Sequence, residues 1–300
     1  MTSNKALCPS CGGSASKAFT TQDFNRSITQ ETFDYYGCPM CGLLFLHPVP
    51  SDLSIYYPED YYTIPPSIDR LHAIAEKQRY QIELVQRFVP SGNLLEIGPA
   101  YGVFAHMAKE AGFCVEVIEM DDRCCGYLRE VVGVDVVKSS TPVDALSGVR
   151  PKGVIALWHV IEHLQDPWKL LDGVVERLTP NGVLLIATPN PEALQFRLLG
   201  YRWPHIDAPR HLQLIPVELL IGQMERRGLK PVLLTSSDKG AASWNAFGWQ
   251  RTLMNLTRQH FLRMFGWGCG LVLSKIWYPF ERQSLKGSAY TVIFQKVKDL

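Results

Sequence analysis

The 300-residue sequence has almost no net charge: 30 Lys and Arg against 29 Asp and Glu leave +1. Without a field of one sign, it has no bulk affinity for the phosphates of nucleic acid. It lacks any run approaching the roughly 20 apolar residues needed to cross a bilayer. Its opening, Met1 to Ser10, lacks the apolar stretch of a secretion signal, so a cytoplasmic location is the expectation. Two phosphate-gripping turns are also missing. The glycine turn after the strand-like run at Leu94 has neither a Gly-Lys-Ser/Thr ending nor G-x-G-x-x-G spacing. That excludes a P-loop nucleotide and a dinucleotide gripped by its pyrophosphate.

What is present is an ordinary globular composition, 46% apolar and 20% charged, in a chain long enough for one substantial core and a small appendage. Four of the eight cysteines form two copies of CPxCG, Cys8/Cys11 and Cys38/Cys41. Each Pro/Gly knuckle puts two sulfurs on one side, and two facing knuckles give four thiolates suited to Zn²⁺. The plainer alternative is two redox pairs or surface thiols. Four sulfurs leave no position for a catalytic water, which favours structural zinc. Within residues 1–50, Lys5, Lys17 and Arg26 are balanced by Asp23, Glu31 and Asp34, an argument against a phosphate-binding ribbon. Cys114, Cys124, Cys125 and Cys269 fall outside the pattern and are expected as buried small hydrophobes. Residues 48–66, rich in Pro and Tyr, read as a tether whose tyrosines either pack the ribbon onto the next domain or line an acceptor pocket. Apolar spacing from Ile68 to Phe88 predicts an amphipathic helix.

The glycine turn has the form Glu96-x-Gly98-x-x-x-Gly102, with Ala100 inside it and an acid closing the strand. A carboxylate there repels a diphosphate and accepts from an ammonium, which points to S-adenosylmethionine (SAM). A second strand ends in Glu119, where a carboxylate can grip ribose hydroxyls, with Met120 against the adenine face.

The stretches "LLEIGPAYGVFA", "VIEMD", "ALWHVIEHLQDPWKLL", "RLTPNGVLLIATPN" and "RHLQL" make residues 91–235 resemble a class I SAM-dependent methyltransferase of the ubiquinone-biosynthesis-like type. The resemblance implies an α/β fold, a seven-stranded Rossmann-like sheet with helices on both faces. "CPMCGLLFLHPVP" and "YYPEDYY" extend it to a bacterial subgroup with an N-terminal zinc ribbon, several members of which methylate sugars or other secondary metabolites. The organisation expected is a ribbon over 1–50, a connector and helix over 51–90, and a methyltransferase domain over 91–300 with a helical insertion at about 240–287. Ala100 replaces a frequent glycine, and Ser139-Ser140 stand where relatives often carry an acid.

Patterning of the second half agrees. Val154–Leu157 reads as a strand, Asp166-Pro167 as the start of a helix, "TPNG" as a turn and "VLLIA" as a buried strand. Pro216 to Arg227 reads as a helix stopped by Gly228. "KPVLLT" and "AYTVIFQKV" complete an alternating α/β parallel sheet. Ligands of such sheets sit beyond the carboxyl ends of the strands, which gathers Glu96, Gly98, Glu119, Trp158, His159 and Thr188 into one crevice. Methyl transfer is an in-line displacement, helped by a general base when the acceptor is a hydroxyl or acidic carbon. His159 and His163, four apart, are expected on one helical face, and the resemblance implies that the Glu162-His163 pair orients the fold around the site rather than moving a proton. His211, backed by His205 and Asp207, is the acceptor-side candidate, and structural hydrogen bonding is the alternative for each histidine. The acceptor expected is a small molecule, lipid-linked or glycan. The rivals are a ribosomal RNA methyltransferase and a non-catalytic binding module on the same fold. Leu157-Trp158-His159-Val160 lacks the Asn/Asp-Pro-Pro-aromatic signature of adenine N-methylating enzymes. Residues 249–287 are basic and aromatic. They read as a helical cover over the acceptor pocket or as a peripheral contact with anionic membrane.

Overall fold

The computed structural model describes residues 5–257, 259–283 and 285–297. Short antiparallel strands β1 (Lys5–Leu7), β2 (Ser14–Thr21), β3 (Phe33–Gly37) and β4 (Leu44–Leu46) form the N-terminal module. The expected helix over 68–88 is instead two, α1 (Ile68–Ala75) and α2 (Tyr80–Gln86). The polar stretch Glu76–Arg79 between them offers no side chain to the core and tightens into a 3₁₀ turn.

The main unit then alternates: β5 (Gly92–Ile97), α3 (Val103–Glu110), β6 (Phe113–Glu119), α4 (Asp122–Tyr127), β7 (Asp135–Lys138), α5 (Pro142–Ala145), β8 (Lys152–Trp158), α6 (Pro167–Arg177), β9 (Leu178–Pro189) and α7 (Leu194–Leu199). The two-residue strand β10 (Gln213–Leu214) leaves this sequence and pairs with β4, so the N-terminal sheet runs β1-β2-β3-β4-β10. Helix α8 (Val217–Glu225), β11 (Leu229–Thr235), α9 (Lys239–Met254), α10 (His260–Glu281) and β12 (Ala289–Lys296) complete the chain.

The seven-stranded sheet has the order β11-β12-β9-β8-β5-β6-β7. The sheet is not wholly parallel: β12 runs antiparallel to both β9 and β11. "TPNG" is a bulge within β9 rather than a turn. Asn181 takes φ 62°, and the register against β8 shifts there. Strand alternation sorts the core into two faces. Leu184 and Ile186 pack toward α6 and α8, while Val183 and Leu185 pack toward α1, α2 and α3. Of the remaining cysteines, Cys124 and Cys125 are buried as expected, but Cys114 is exposed because its side chain alternates outward from β6.

The N-terminal module and the main unit share a third core, in which Tyr35, Leu46 and Tyr56 pack against Trp203, Ile206 and Leu212. A buried ionic knot lies beside it. The Arg210 guanidinium, fully buried, donates to Asp23 at 2.5 and 3.1 Å and to Asp207 at 2.6 Å.

Helix α10 is inside out. Gly266 and Gly270 meet the backbone of α9 so closely that a Cβ would lie within 2.7 Å of Leu253 or Gln250 main-chain atoms. Phe261, Phe265, Val272 and Ile276 point to solvent, 60–80% exposed. Among the described residues, no helix is long and apolar enough to cross a membrane.

Asp23→Ala leaves part of a buried guanidinium unpaired and should destabilise the protein by about 3 kcal/mol, measured as a lowered urea midpoint at unchanged m-value.

Candidate functional site

The glycine turn sits at the carboxyl end of β5. Gly98 (φ 69°) and Gly102 (φ 86°) both adopt left-handed conformations. A Cβ on Gly98 would meet Val160 at 2.7 Å, and one on Gly102 would meet Leu128 at 2.5 Å. Ala100, at φ 52°, takes the same region without glycine's freedom. Its N–H donates to the Glu119 carboxylate at 3.0 Å, which anchors that conformation. The other Glu119 oxygen accepts from the N–H groups of Met120 (2.7 Å) and Asp121 (2.9 Å). Glu119 therefore braces the turn from the end of β6.

Glu96 lies beside it, 3% exposed, and one of its carboxylate oxygens has no hydrogen-bond partner. Burial, helped by the nearby Glu119 charge, pushes its pKa up to about 8 despite the N–H of Ala105. Burial also raises Glu119, against the three N–H groups it accepts. Two buried carboxyls therefore share these strand ends, and one oxygen of Glu96 still lacks a partner among the described residues.

Across the strand ends lies the histidine crevice. His159 follows β8 at φ 55° and precedes a single 3₁₀ turn, Ile161–His163. The shared helical face expected for His159 and His163 is therefore absent, because the chain must reverse sharply at the end of β8. Both rings instead border Glu162. That carboxylate is fully buried, accepts from Thr188 Oγ1 at 3.0 Å, and leaves its other oxygen 3.5 Å from His159 Nδ1. Burial opposes its ionisation, but His159, His211 and His163 outweigh it and hold it down to about 2.

His163 Nδ1 is 3.0 Å from the Arg210 carbonyl and 3.1 Å from Tyr57 Oη, and its ring stands edge-on to His211 with centroids 4.7 Å apart. His211 Nδ1 is 2.9 Å from the His205 carbonyl, and its Nε2 is 3.7 Å from Asp207. Burial lowers His163 to about 4 and His205 to about 3. Asp207 is held low against burial by His211 and Arg210, and accepts from Arg210 and Asn25. From α9, Trp244 stacks on His159 with centroids 4.2 Å apart and contacts His205 at 4.7 Å.

The structure thus brings His159, His163, His205, His211 and Asp207 together. Met120 lies exposed at the end of β6, and the Trp158 ring packs against Tyr80 and Phe104. The sequence pairs Glu162 with His163 alone, whereas the structure sets it among three histidines; sequence reasoning missed Trp244 as their roof and Arg210 with Asp23 as their support. Asp23 lies 187 residues from Arg210, beyond any local pattern. The proline-rich tether did hold a readable signal, since Tyr57 is one of the tyrosines whose role stood open.

The four cysteines lie apart from this crevice. Both knuckles fold alike: the Gly12 and Gly42 N–H groups donate to the Cys8 and Cys38 carbonyls at 2.9 Å. Sγ atoms of Cys8 and Cys41 are 3.6 Å apart, and those of Cys11 and Cys38 3.5 Å. A tetrahedral zinc with Zn–S near 2.3 Å has sulfur–sulfur edges of about 3.8 Å. The donor set fits.

A methyltransferase-domain family matches residues 71–234. The chain belongs to that family. Among solved structures it is similar to a SAM-dependent methyltransferase from Archaeoglobus fulgidus, at 18% identity and TM-score 0.52, covering 75% of this chain and 94% of that one. It is also similar to the cyclopropane synthase MmaA2 from Mycobacterium tuberculosis, at 15% identity and TM-score 0.51, covering 73% and 84%. No curated protein sequence matches the chain. The fold of this methyltransferase is that of the class I SAM-dependent enzymes.

Gly102→Ala should strain a left-handed residue and force Leu128 aside, lowering the melting temperature by several degrees, the effect of about 1–3 kcal/mol, as read by thermal unfolding.

Proposed function

We propose that this methyltransferase moves a methyl group from SAM to a small-molecule acceptor, a sugar, glycolipid or other cell-envelope or secondary-metabolite intermediate. One observation carries the reading: the buried, unpartnered carboxylate oxygen of Glu96 beside a glycine turn that lacks any phosphate grip. Such a site selects a cationic ligand.

When bound, the donor supplies a methyl on a positively charged sulfur. Glu96 would accept from its ammonium, the Gly98–Gly102 turn would take its amino-acid end, and Glu119 would use its remaining lone pairs on the ribose hydroxyls. Met120 and Trp158 flank this end of the sheet. On the acceptor side, the Nδ1 atoms of His211 and His163 are tied to backbone carbonyls, which leaves Nε2 to take a proton. His211 is the proposed base, with His163 and His159 beside it. His205 and Asp207 position it, and the Glu162 anion stabilises the imidazolium that forms. The four cysteines are proposed to hold a structural zinc in a ribbon over residues 1–50, with no position for a catalytic water.

The outward face of α10 supports an acceptor met at a membrane surface. Between Lys239 and Lys286 the sole acid is Glu281, which is fully buried, while the same stretch carries Lys239, Arg251, Arg263, Lys275, Arg282 and Lys286 along with its exposed aromatic and aliphatic side chains. Apolar area with flanking cations suits the headgroup region of anionic lipid.

Calorimetry with SAM tests the donor. With its carboxyl near 8 in the free protein, Glu96 is mostly protonated at pH 7, and an adjacent cation drives that proton off. Binding should therefore release up to one proton below pH 8 and strengthen as pH rises from 6 to 8. Glu96→Gln should abolish the release and weaken binding on the order of tenfold; wild-type protein that binds no SAM would overturn the reading. Vesicle sedimentation tests the surface. The protein should pellet with anionic but not neutral vesicles, less so at high salt, and Phe261→Ser with Phe265→Ser should release it while SAM binding persists. A turnover screen across nucleotide sugars, glycolipids and quinone precursors identifies the acceptor.

A further inference from the structure

Helices α1 and α3, which pack against each other, repeat one pattern. His72 is followed four residues later by Glu76 at the end of α1, and His106 by Glu110 at the end of α3. That spacing places each pair on one helical face. The two faces meet. His72 Nδ1 is 3.3 Å from His106 Nε2 and 3.3 Å from a Glu110 oxygen, and His106 Nε2 is 3.5 Å from the other Glu110 oxygen.

Two readings of these distances compete. A charge-assisted hydrogen bond between imidazolium and carboxylate closes to about 2.7–2.9 Å, and neither His–Glu contact does so. Ligands around a tetrahedral cation with metal–nitrogen and metal–oxygen distances of about 2.0–2.2 Å stand roughly 3.3–3.6 Å apart. All three separations fall in that range, with the two nitrogens facing different oxygens of the one Glu110 carboxylate.

The surroundings agree. His106 is 5% exposed, so its ring is fixed by packing, while the side chains of His72 and Glu110 are nearly half exposed, which leaves an open side for a water ligand and for metal access. The other nitrogen of His72 faces Glu76 at 3.9 Å, and Glu76 is itself held by the Arg79 guanidinium. Lys109, between the two α3 ligands in sequence, turns away to donate to the Val132 and Gly133 carbonyls.

We propose that His72, His106 and Glu110 bind one divalent cation of the zinc class, with water as the fourth ligand, at a site separate from the four cysteines. Two imidazoles and one carboxylate make a borderline donor set that suits zinc better than magnesium or calcium. The ion joins α1, which enters from the tether, to α3, which begins at the Gly98–Gly102 turn. It therefore pins the N-terminal approach onto the element that shapes the donor pocket.

The test titrates Zn²⁺, and Co²⁺ as a visible probe, into full-length protein whose cysteine site has first been filled with zinc. A further equivalent is expected, with cobalt d–d absorption and no thiolate charge-transfer band. His72→Ala, a change at a half-exposed side chain, should remove that equivalent without shifting the melting temperature of the chelator-treated protein. Glu110→Gln should weaken it at least tenfold. No additional equivalent would overturn the proposal. So would one that survives His72→Ala, or one abolished only by His211→Ala, which would assign it to the histidine crevice.

Discussion

The buried guanidinium of Arg210 is the constraint on which the acceptor side of this molecule depends. A fully buried cation persists only when every face of it is answered, and here the answers come from two distant segments, Asp23 of the N-terminal module and Asp207 three residues upstream. Asp207 is thereby fixed beside His211, and the Arg210 carbonyl is presented to His163. Tyr35 adds a second tie from the N-terminal sheet by donating to the His211 carbonyl at 2.5 Å. The N-terminal module is thus more than an appendage bearing cysteines: its strands and its one buried acid hold the imidazoles where they converge.

The donor side rests on a different balance. Glu119 shares three backbone N–H groups and can stay in place without a ligand. Glu96 lacks that satisfaction, and an orphaned buried oxygen costs free energy until something donates to it. The pair divides the work: one acid shapes the turn, and the other stays chemically unsatisfied inside it. Ala100 shows how far the shaping goes. A left-handed alanine is retained because its N–H is needed where it points.

Much of this fold was legible in the sequence because it is written in local periods. The apolar runs that became β5, β6, β8 and the second half of β9 stand out in the sequence, and α6 begins at Asp166-Pro167, where the Asp166 side chain accepts from the Lys169 N–H. The glycine turn was legible as well, since backbone geometry constrains residue type there. What was not legible depends on contacts with no sequence period: β12 reversing against its neighbours, β10 leaving for the other sheet, Glu162 emerging as the hub of the histidines. "HVIEHL" does contain His159 and His163 at helical spacing, but a reversal at the end of β8 overrode that spacing. Asp23 passed for ordinary charge balance because its partner lies most of a chain away.

The helix pair α9–α10 shows one packing decision serving two surfaces. Bringing α10 against α9 over Gly266, Gly270 and Ser274 allows backbone approach, the strategy of helices that associate without an inward hydrophobic stripe. It leaves the large apolar side chains of α10 on the outside. It also steadies α9, whose Trp244 lies between His159 and His205 and roofs the crevice. Glu281, at the far end of α10, accepts from Trp249 and Gln195 and ties the pair to α7. Had α10 buried its phenylalanines and Ile276 against α9 instead, their bulk would have forced the axes apart and lifted the indole from the imidazoles. The roof over the crevice and the outward apolar face are therefore two sides of the same close approach.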